Sequence, residues 1–187
     1  PLALVTGGSR GLGRSMAEHL AHRGVDVVLT YHRNETAAAE VAAAVEAAGA
    51  RALALQLDVA DAGTFPAFAE ALRVRLEPTF GRSTIDHLVN NAGVGVHAPV
   101  LQLTEDQFDT LVNVHLKGAL FLTQAVAPLL RDGGSILNVS SGLTRIVLPG
   151  FGDRKKVHLI IVAIGHRSGP DLDAVLRAGL KFMDQEL

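Results

Sequence analysis

The sequence predicts an α/β fold in which a single domain is built on a doubly wound parallel sheet. Short apolar runs alternate with longer amphipathic segments, as expected of repeated βαβ units. The apolar runs lack a clean polar alternation, which indicates strands that are buried on both faces. The length of 187 residues suits one domain and leaves no room for a second of similar size.

Each predicted strand is a run rich in Val, Leu, Ile or Ala, and each predicted helix has apolar residues at helical spacing. The strands are residues 2–6, 25–31, 51–57, 85–89, 135–139 and 157–164. The helices are residues 11–23, 36–48, 62–77 and 105–130. Thr104, followed by Gln107 at the third helical position, predicts a capping box at the start of the last of these helices. An amphipathic helix is expected at the end of the chain, after Pro170.

Composition narrows the classes of function. Apolar residues make up 48% and charged residues 19%, with a mean hydropathy of +0.28, which excludes a disordered chain. The net charge is −2 and no block of basic residues stands out, so no nucleic-acid partner is expected. The sequence has no long apolar run, no pattern of a signal peptide and no cysteine, so we expect a cytoplasmic protein without membrane contact. His19 and His22 lack a third ligand, so no metal site is expected.

The most informative local signal is the turn between the first strand and the first helix. It consists of Gly7, Gly8, Ser9, Arg10, Gly11, Leu12 and Gly13. Glycines in such a turn let backbone N–H groups approach a pyrophosphate, and the N-terminus of the next helix attracts its negative charge. A tight turn without a ligand is the alternative. No Gly-Lys-Ser/Thr follows, which disfavours the phosphate loop of a nucleoside triphosphatase.

Segments at the ends of three further strands indicate which nucleotide would bind. No acidic residue ends the second strand, whereas Arg33 follows it and could hold a 2′-phosphate together with Arg10, which favours NADP(H) over NAD(H). Asp58 and Val59 end the third strand, beside the expected adenine. The fourth strand is followed by three candidate residues at the edge where doubly wound sheets bind ligands, namely Asn90, Ala92 and Gly93.

Together these motifs resemble the short-chain dehydrogenase/reductase family, whose fold is Rossmann-like. The resemblance covers residues 2–150 and also includes Asn113 in the long helix and the segment from Asn138 to Ser141. It implies hydride transfer between NADP(H) and a carbonyl or alcohol substrate, as in 3-oxoacyl carrier-protein reductases. It further implies that Ser141 bonds the carbonyl oxygen and that Asn113 holds a water of the proton relay. The particular small-molecule substrate stays open, as does the choice between a monomer and a homo-oligomer.

One part of the family's pattern is missing. In the family, a tyrosine transfers the proton and a lysine four residues later lowers the pKa of the phenol. By the family's spacing from Ser141 these residues would fall at positions 154 and 158, where this sequence has Arg154 and His158. An arginine is a poor general acid because its pKa stays above about 12. The single tyrosine of the chain is Tyr31, at the end of the second strand.

We therefore expect residues 1–150 to form an NADP-binding domain, with residues 151–187 completing it as an atypical strand and helix and the fold shortened at the C-terminal end. The leading hypothesis is an NADP-dependent oxidoreductase. A catalytically inactive NADP-binding module is the second, and the third is an enzyme whose catalytic segment, between Phe151 and Val157, is absent from this chain. An S-adenosylmethionine methyltransferase is disfavoured, because no acidic residue ends the second strand and the fourth strand is followed by asparagines.

Overall fold

A computed structural model describes residues 1–96 and 98–139 of the chain. The strands in this part are β1 (Leu2–Val5), β2 (Asp26–Tyr31), β3 (Ala52–Gln56), β4 (Ile85–Asn90) and β5 (Leu130–Asn138). The helices are α1 (Gly11–Ala21), α2 (Glu35–Ala47), α3 (Phe65–Phe80), α4 (Glu105–Val112) and α5 (Ala119–Val126). All strand pairs are parallel, in the order β3-β2-β1-β4-β5. The predicted α/β class with a doubly wound parallel sheet is confirmed.

The central strand β1 shows why the apolar runs lack a polar alternation. Its four residues are fully buried, and their side chains divide between two cores. Ala3 and Val5 pack on the face that α1 and α2 cover. Leu2 and Leu4 pack on the opposite face, with α3 and α5. Both faces of the sheet are therefore sealed by helices, which requires apolar side chains on both sides of each central strand.

The strand order creates a crevice beside β1. The chain first runs outward from β1 to β3 and then returns to place β4 on the other side of β1. Val5, the last residue of β1, pairs with Leu29 on one side and with Val89 on the other. In doubly wound sheets, ligands bind at the carboxyl ends of the strands where the order reverses in this way.

The helix starts follow from local hydrogen bonds. The predicted capping box is confirmed, since Gln107 N donates to Thr104 Oγ1 (3.3 Å) and Thr104 N donates to Gln107 Oε1 (3.1 Å). Helix α3 begins at Phe65, three residues later than predicted. Asp61 Oδ1 accepts from Gly63 N (3.0 Å) and stabilises a 3-10 turn, Ala62–Thr64, ahead of the helix.

The predicted helical stretch over residues 105–130 is helical as far as Leu129, but it is not a uniform α-helix. A π-helical turn, Asn113–Gly118, separates α4 from α5, and a 3-10 turn, Ala127–Leu129, follows α5. At Gly118 the helix backbone lies against the carbonyl oxygen of Val59, so closely that a Cβ would overlap that oxygen. This contact needs a glycine, and the wider π turn lies where the helix meets the loop after β3.

Strand β5 begins five residues before the predicted start at residue 135. Its pairing with β4 is irregular between Ile85 and His87, and Gly133, with φ 76°, lies in the irregular part. The predicted strand 157–164, the predicted terminal helix and the proposed division at residue 151 lie outside the described residues.

Candidate functional site

A cleft of about 690 Å³ opens at the carboxyl edge of the sheet. Its walls come from the turn after β1, the ends of β2 and β3, the loop after β4 and the π-helical turn. The lining residues are Gly7, Ser9, Arg10, Gly11, Leu12, Gly13, Thr30, Tyr31, His32, Arg33, Asn34, Ala37, Leu57, Asp58, Val59, Asn91, Ala92, Gly93, Val94 and Val114. The volume lies in the range typical of sites for small molecules and cofactors.

Thr6, at the carboxyl end of β1, joins the two loops that form the centre of the cleft. Its side chain is buried, and Oγ1 accepts hydrogen bonds from the backbone N–H groups of Asn91 and Ala92, both at 2.9 Å. The Asn91 Nδ2 group donates to Thr6 O (2.8 Å). These bonds fix the loop after β4 against the glycine-rich turn.

The glycines of the turn serve two different purposes. A Cβ on Gly13 would lie 2.6 Å from Asn91 Nδ2 and still closer to Gly7 O, so neighbouring protein atoms leave no space for a side chain at this position. Gly11, by contrast, has φ 53° and nothing within 4 Å of the place where its Cβ would be. Gly13 therefore permits close packing, whereas Gly11 keeps the cleft open where the chain enters α1.

The N-terminus of α1 is suited to an anion. Arg10 occupies the N-cap position without a capping hydrogen bond from its side chain, and the first turn holds no acidic residue. Helix α2, by comparison, is capped by Asn34, whose Oδ1 accepts from Ala37 N (2.9 Å). The first N–H groups of a helix have no partner within the helix, and those of α1 belong to residues that line the cleft. A phosphate group would supply the missing acceptors.

The end of the cleft at β2 and β3 carries a cluster of charges. Arg10 and Arg33 both line the cleft and are exposed, Arg33 directly after β2 and Arg10 at the N-cap of α1. His32 Nε2 lies 3.4 Å from Asp58 Oδ2. Asp58 Oδ1 accepts a hydrogen bond from Ala60 N (2.9 Å), which holds the carboxylate in place. The cleft thus offers two permanent cations to an anionic group, and Asp58 offers an oriented acceptor.

Tyr31 lines the same end of the cleft. Burial and the neighbouring carboxylate of Glu35 raise the pKa of its hydroxyl. A phenol that transfers a proton near neutral pH needs the opposite shift. The environment of Tyr31 therefore gives no support for a role of this tyrosine in proton transfer.

Two of the predicted cofactor residues do not line the cleft. Gly8 is buried, and a Cβ there would lie 2.7 Å from Leu29 Cβ. Asn90 Nδ2 donates to Thr123 Oγ1 (3.1 Å) and to Asn138 Oδ1 (2.8 Å), so it bridges β4, β5 and α5. The other predicted cofactor residues do line it, namely Gly7, Ser9, Arg10, Gly11, Leu12, Gly13, Arg33, Asp58, Val59, Ala92 and Gly93.

Asn91 belongs to the segment that the sequence places at this edge but was not among the predicted cofactor residues, yet it lines the cleft, whereas Asn90 does not. Alternation along a strand could have revealed it, because Leu88 and Asn90 point to the α5 face and the next residue does not. Of the two predicted catalytic residues, only Asn113 belongs to the described part of the chain. Asn113 begins the π-helical turn but is not among the lining residues, whereas Val114 is. Ser141 lies outside the described residues.

Two further properties concern the described part of the chain only. None of its helices combines the length and the apolar character that crossing a membrane would need. Within residues 1–96 and 98–139, no group of three or more His, Asp or Glu side chains could hold a metal ion.

A parallel sheet with a glycine-rich turn at its switch point and an open helix N-terminus defines a Rossmann-like, nucleotide-binding class of protein. The family model of the short chain dehydrogenases matches residues 1–152. The chain belongs to this family, as its motifs predict.

Relatives of the chain are oxidoreductases. An uncharacterized oxidoreductase of Methylorubrum extorquens is 38% identical over 148 residues, which is 79% of this chain and 57% of the relative. A 3-oxoacyl-[acyl-carrier-protein] reductase of Staphylococcus aureus is 35% identical over 150 residues, covering 79% of this chain and 58% of the relative. The crystal structure of landomycin C-6 ketoreductase with bound NADP and rabelomycin is similar with a TM-score of 0.74 and 40% identity, over 79% of this chain and 60% of that one. The chain thus spans little more than half the length of these relatives.

Proposed function

We propose that the chain is an NADP(H)-dependent oxidoreductase that transfers a hydride between the nicotinamide and a carbonyl or alcohol substrate. One observation carries the proposal: two arginines, Arg10 and Arg33, line the same cleft as the uncapped N-terminus of α1. Family membership supports the chemistry, and related structures contain NADP or NADPH. A cytoplasmic location and a small-molecule substrate, without a nucleic-acid or membrane partner, belong to the same proposal.

The lining residues fit the parts of this dinucleotide. The N–H groups at the start of α1 would hold the pyrophosphate above Gly11, where the cleft is open. The guanidinium groups of Arg10 and Arg33 would pair with the 2′-phosphate, and Asp58 with Val59 would border the adenine. The dinucleotide, when bound, supplies or accepts the hydride. Ser141 and Asn113 remain the predicted residues for orienting the carbonyl group and the proton relay.

A fluorescence titration with NADPH and NADH tests the cationic end of the cleft. We expect Arg33→Ala and Arg10→Ala each to weaken NADPH binding by about tenfold or more, since each removes a charge-assisted bond to phosphate. NADH binding should change less, because NADH lacks the 2′-phosphate. Arg23→Ala is the matched control, because Arg23 is exposed in the turn after α1 and does not line the cleft. Equal losses for both dinucleotides would contradict the assignment of these arginines.

A second candidate function is a catalytically inactive NADP-binding module. Two observations favour it: the tyrosine of the chain lies at the adenosine end with a raised pKa, and the expected positions of the catalytic pair hold Arg154 and His158. The third hypothesis, a catalytic segment missing between residues 151 and 157, predicts an intact mass above 19.6 kDa for the natural protein. Agreement with that mass would contradict it.

Turnover separates the enzyme from the module. The assay follows NADPH oxidation in the presence of a panel of ketones and 3-oxo-thioesters. The enzyme hypothesis predicts substrate-dependent oxidation that disappears in Ser141→Ala. The module hypothesis predicts NADPH binding with no oxidation on any member of the panel.

A further inference from the structure

The loop after β4 is held in place from two sides. Its first part, Asn91 and Ala92, is fixed by the buried side chain of Thr6. Its next part, Gly93 and Val94, also lines the cleft, but the hydrogen bonds of Thr6 do not extend to it. These two residues lie on the β4 side of the cleft, away from the arginine that follows β2. In a dinucleotide-binding crevice, this is the half opposite the adenosine.

The contacts of Gly93 and Val94 come from His115, in the middle of the π-helical turn. His115 Nε2 lies 2.7 Å from Val94 O and 3.4 Å from Val94 N. One ring nitrogen cannot donate to the carbonyl and accept from the N–H at the same time. The contact with the carbonyl oxygen is the shorter one, so we take it as the hydrogen bond. On this geometry we assign the Nε2–H tautomer to His115, in which Nε2 donates to Val94 O.

The ring of His115 lies close to the backbone of the loop at Gly93. A Cβ on Gly93 would lie 2.9 Å from His115 Cε1. On the other side of the same turn, Gly118 packs against the carbonyl oxygen of Val59, in the loop after β3. The π-helical turn thus contacts the loops that follow β3 and β4, and Val114 from this turn lines the cleft between them.

We propose that His115 is a positioning residue that fixes Gly93 and Val94 as one wall of the reacting half of the cleft. The Nε2–H group restrains the Val94 carbonyl, and the flat ring fills the space that Gly93 leaves free. If the chain binds NADPH as proposed above, His115 supports binding of the nicotinamide half and not of the adenosine half. This part of the inference rests on the proposed function. The restraint itself is a property of the free protein.

The test compares His115→Leu and His115→Gln in the complete chain. Leucine keeps an apolar volume but removes the donor, whereas glutamine places an amide N–H at a similar distance from the backbone. Three readouts are taken: the ¹⁵N shifts that identify the protonated ring nitrogen of His115, backbone order parameters of residues 93–96, and affinities for NADPH and 2′,5′-ADP. His19→Leu is the matched control, because His19 lies on α1, bonds to Ser15 O (2.8 Å) and does not line the cleft.

We expect His115 to be in the Nε2–H form in the unsubstituted protein. The backbone order parameters of residues 93–96 should be about 0.85 there and fall below about 0.6 in His115→Leu. NADPH should bind about fivefold more weakly to that variant, the effect of one lost hydrogen bond, while 2′,5′-ADP binds unchanged. His115→Gln should restore both properties. An Nδ1–H form, unchanged order parameters, failure of glutamine to rescue, or equal weakening for both ligands would overturn the proposal.

The outcomes also separate this inference from the proposed function. If the unsubstituted protein bound neither NADPH nor 2′,5′-ADP, the proposed function would be wrong. The claim that His115 supports binding of the nicotinamide half would then be wrong as well. The ring protonation and the order parameters would still decide whether His115 restrains the loop. Binding of both ligands with no effect of His115→Leu on either would leave the proposed function standing and refute the role of His115.

Discussion

Replacement of Gly13 by alanine probes the close packing that forms the inner wall of the cleft. A Cβ at this position would lie 2.6 Å from Asn91 Nδ2, where ordinary van der Waals contact begins at 3.4 Å, and it would lie nearer still to Gly7 O. The backbone of the turn or the start of α1 must therefore shift by about 1 Å. The Asn91 amide, which donates to Thr6 O at 2.8 Å, cannot keep that bond if it moves aside.

We expect Gly13→Ala to lower the free energy of unfolding by about 2 kcal/mol, which is typical of overpacking at a closed position. For a domain of this size the loss corresponds to a fall in Tm of roughly 4–8 °C. Thermal unfolding followed by circular dichroism measures it. Gly63→Ala is the control, because its Cβ would meet only the Asp61 carboxylate, at 3.2 Å, and should change stability by less than about 0.5 kcal/mol. Equal melting temperatures for Gly13→Ala and the unsubstituted protein would refute the packing argument.

Three further predictions concern the cleft and the opposite edge of the sheet. Gly11→Ala should cost only about 1 kcal/mol of stability for its left-handed backbone, yet weaken NADPH binding about tenfold, because its Cβ enters the open cleft; a titration with unchanged affinity would contradict this. Asp86 is buried, and burial opposes its charge, but hydrogen bonds from Arg82 and from the backbone N–H of Leu2 lower its pKa. The charged carboxylate therefore stabilises the fold at neutral pH, and this stabilisation is lost as the pH falls through the lowered pKa. Asp86→Asn should therefore cost about 3 kcal/mol in urea unfolding at pH 7 and much less in acid. Absorbance titration of Tyr31, the single tyrosine, should give a pKa above the ordinary value of about 10, and Glu35→Gln should lower it; an unchanged midpoint would show that Glu35 does not act on the hydroxyl.

Much of the fold could be predicted from the sequence because burial leaves a direct mark on composition. The run Leu2–Val5 is apolar throughout because each of its residues faces one of two helical layers, and this pattern specifies a central parallel strand. The glycine-rich turn could be placed for a similar reason. It follows such a strand and precedes a helix, and in doubly wound sheets this strand-to-helix turn lies at the carboxyl edge, where nucleotides bind.

The details that sequence reasoning missed depend on contacts between distant segments. The π-helical turn Asn113–Gly118 leaves the apolar spacing of the long helix almost unchanged, and the contact of Gly118 with Val59 at its end joins segments that no local pattern links. The early start of β5 depends on an irregular pairing with β4 rather than on its own residues. Adjacent asparagines 90 and 91 look equivalent in the sequence, but the pleat of the strand sends them to different surroundings.

The affinity ratio for NADPH over NADH tests the central claim most directly, since the two dinucleotides differ only in the 2′-phosphate that Arg10 and Arg33 are expected to hold. The measurement is a calorimetric titration of the complete chain with each dinucleotide in the same buffer. The structure predicts that NADPH binds at least about tenfold more tightly than NADH, as two arginines at one anionic group would produce. Equal affinities, or binding of neither dinucleotide, would contradict the claim that this cleft is a site for NADP(H).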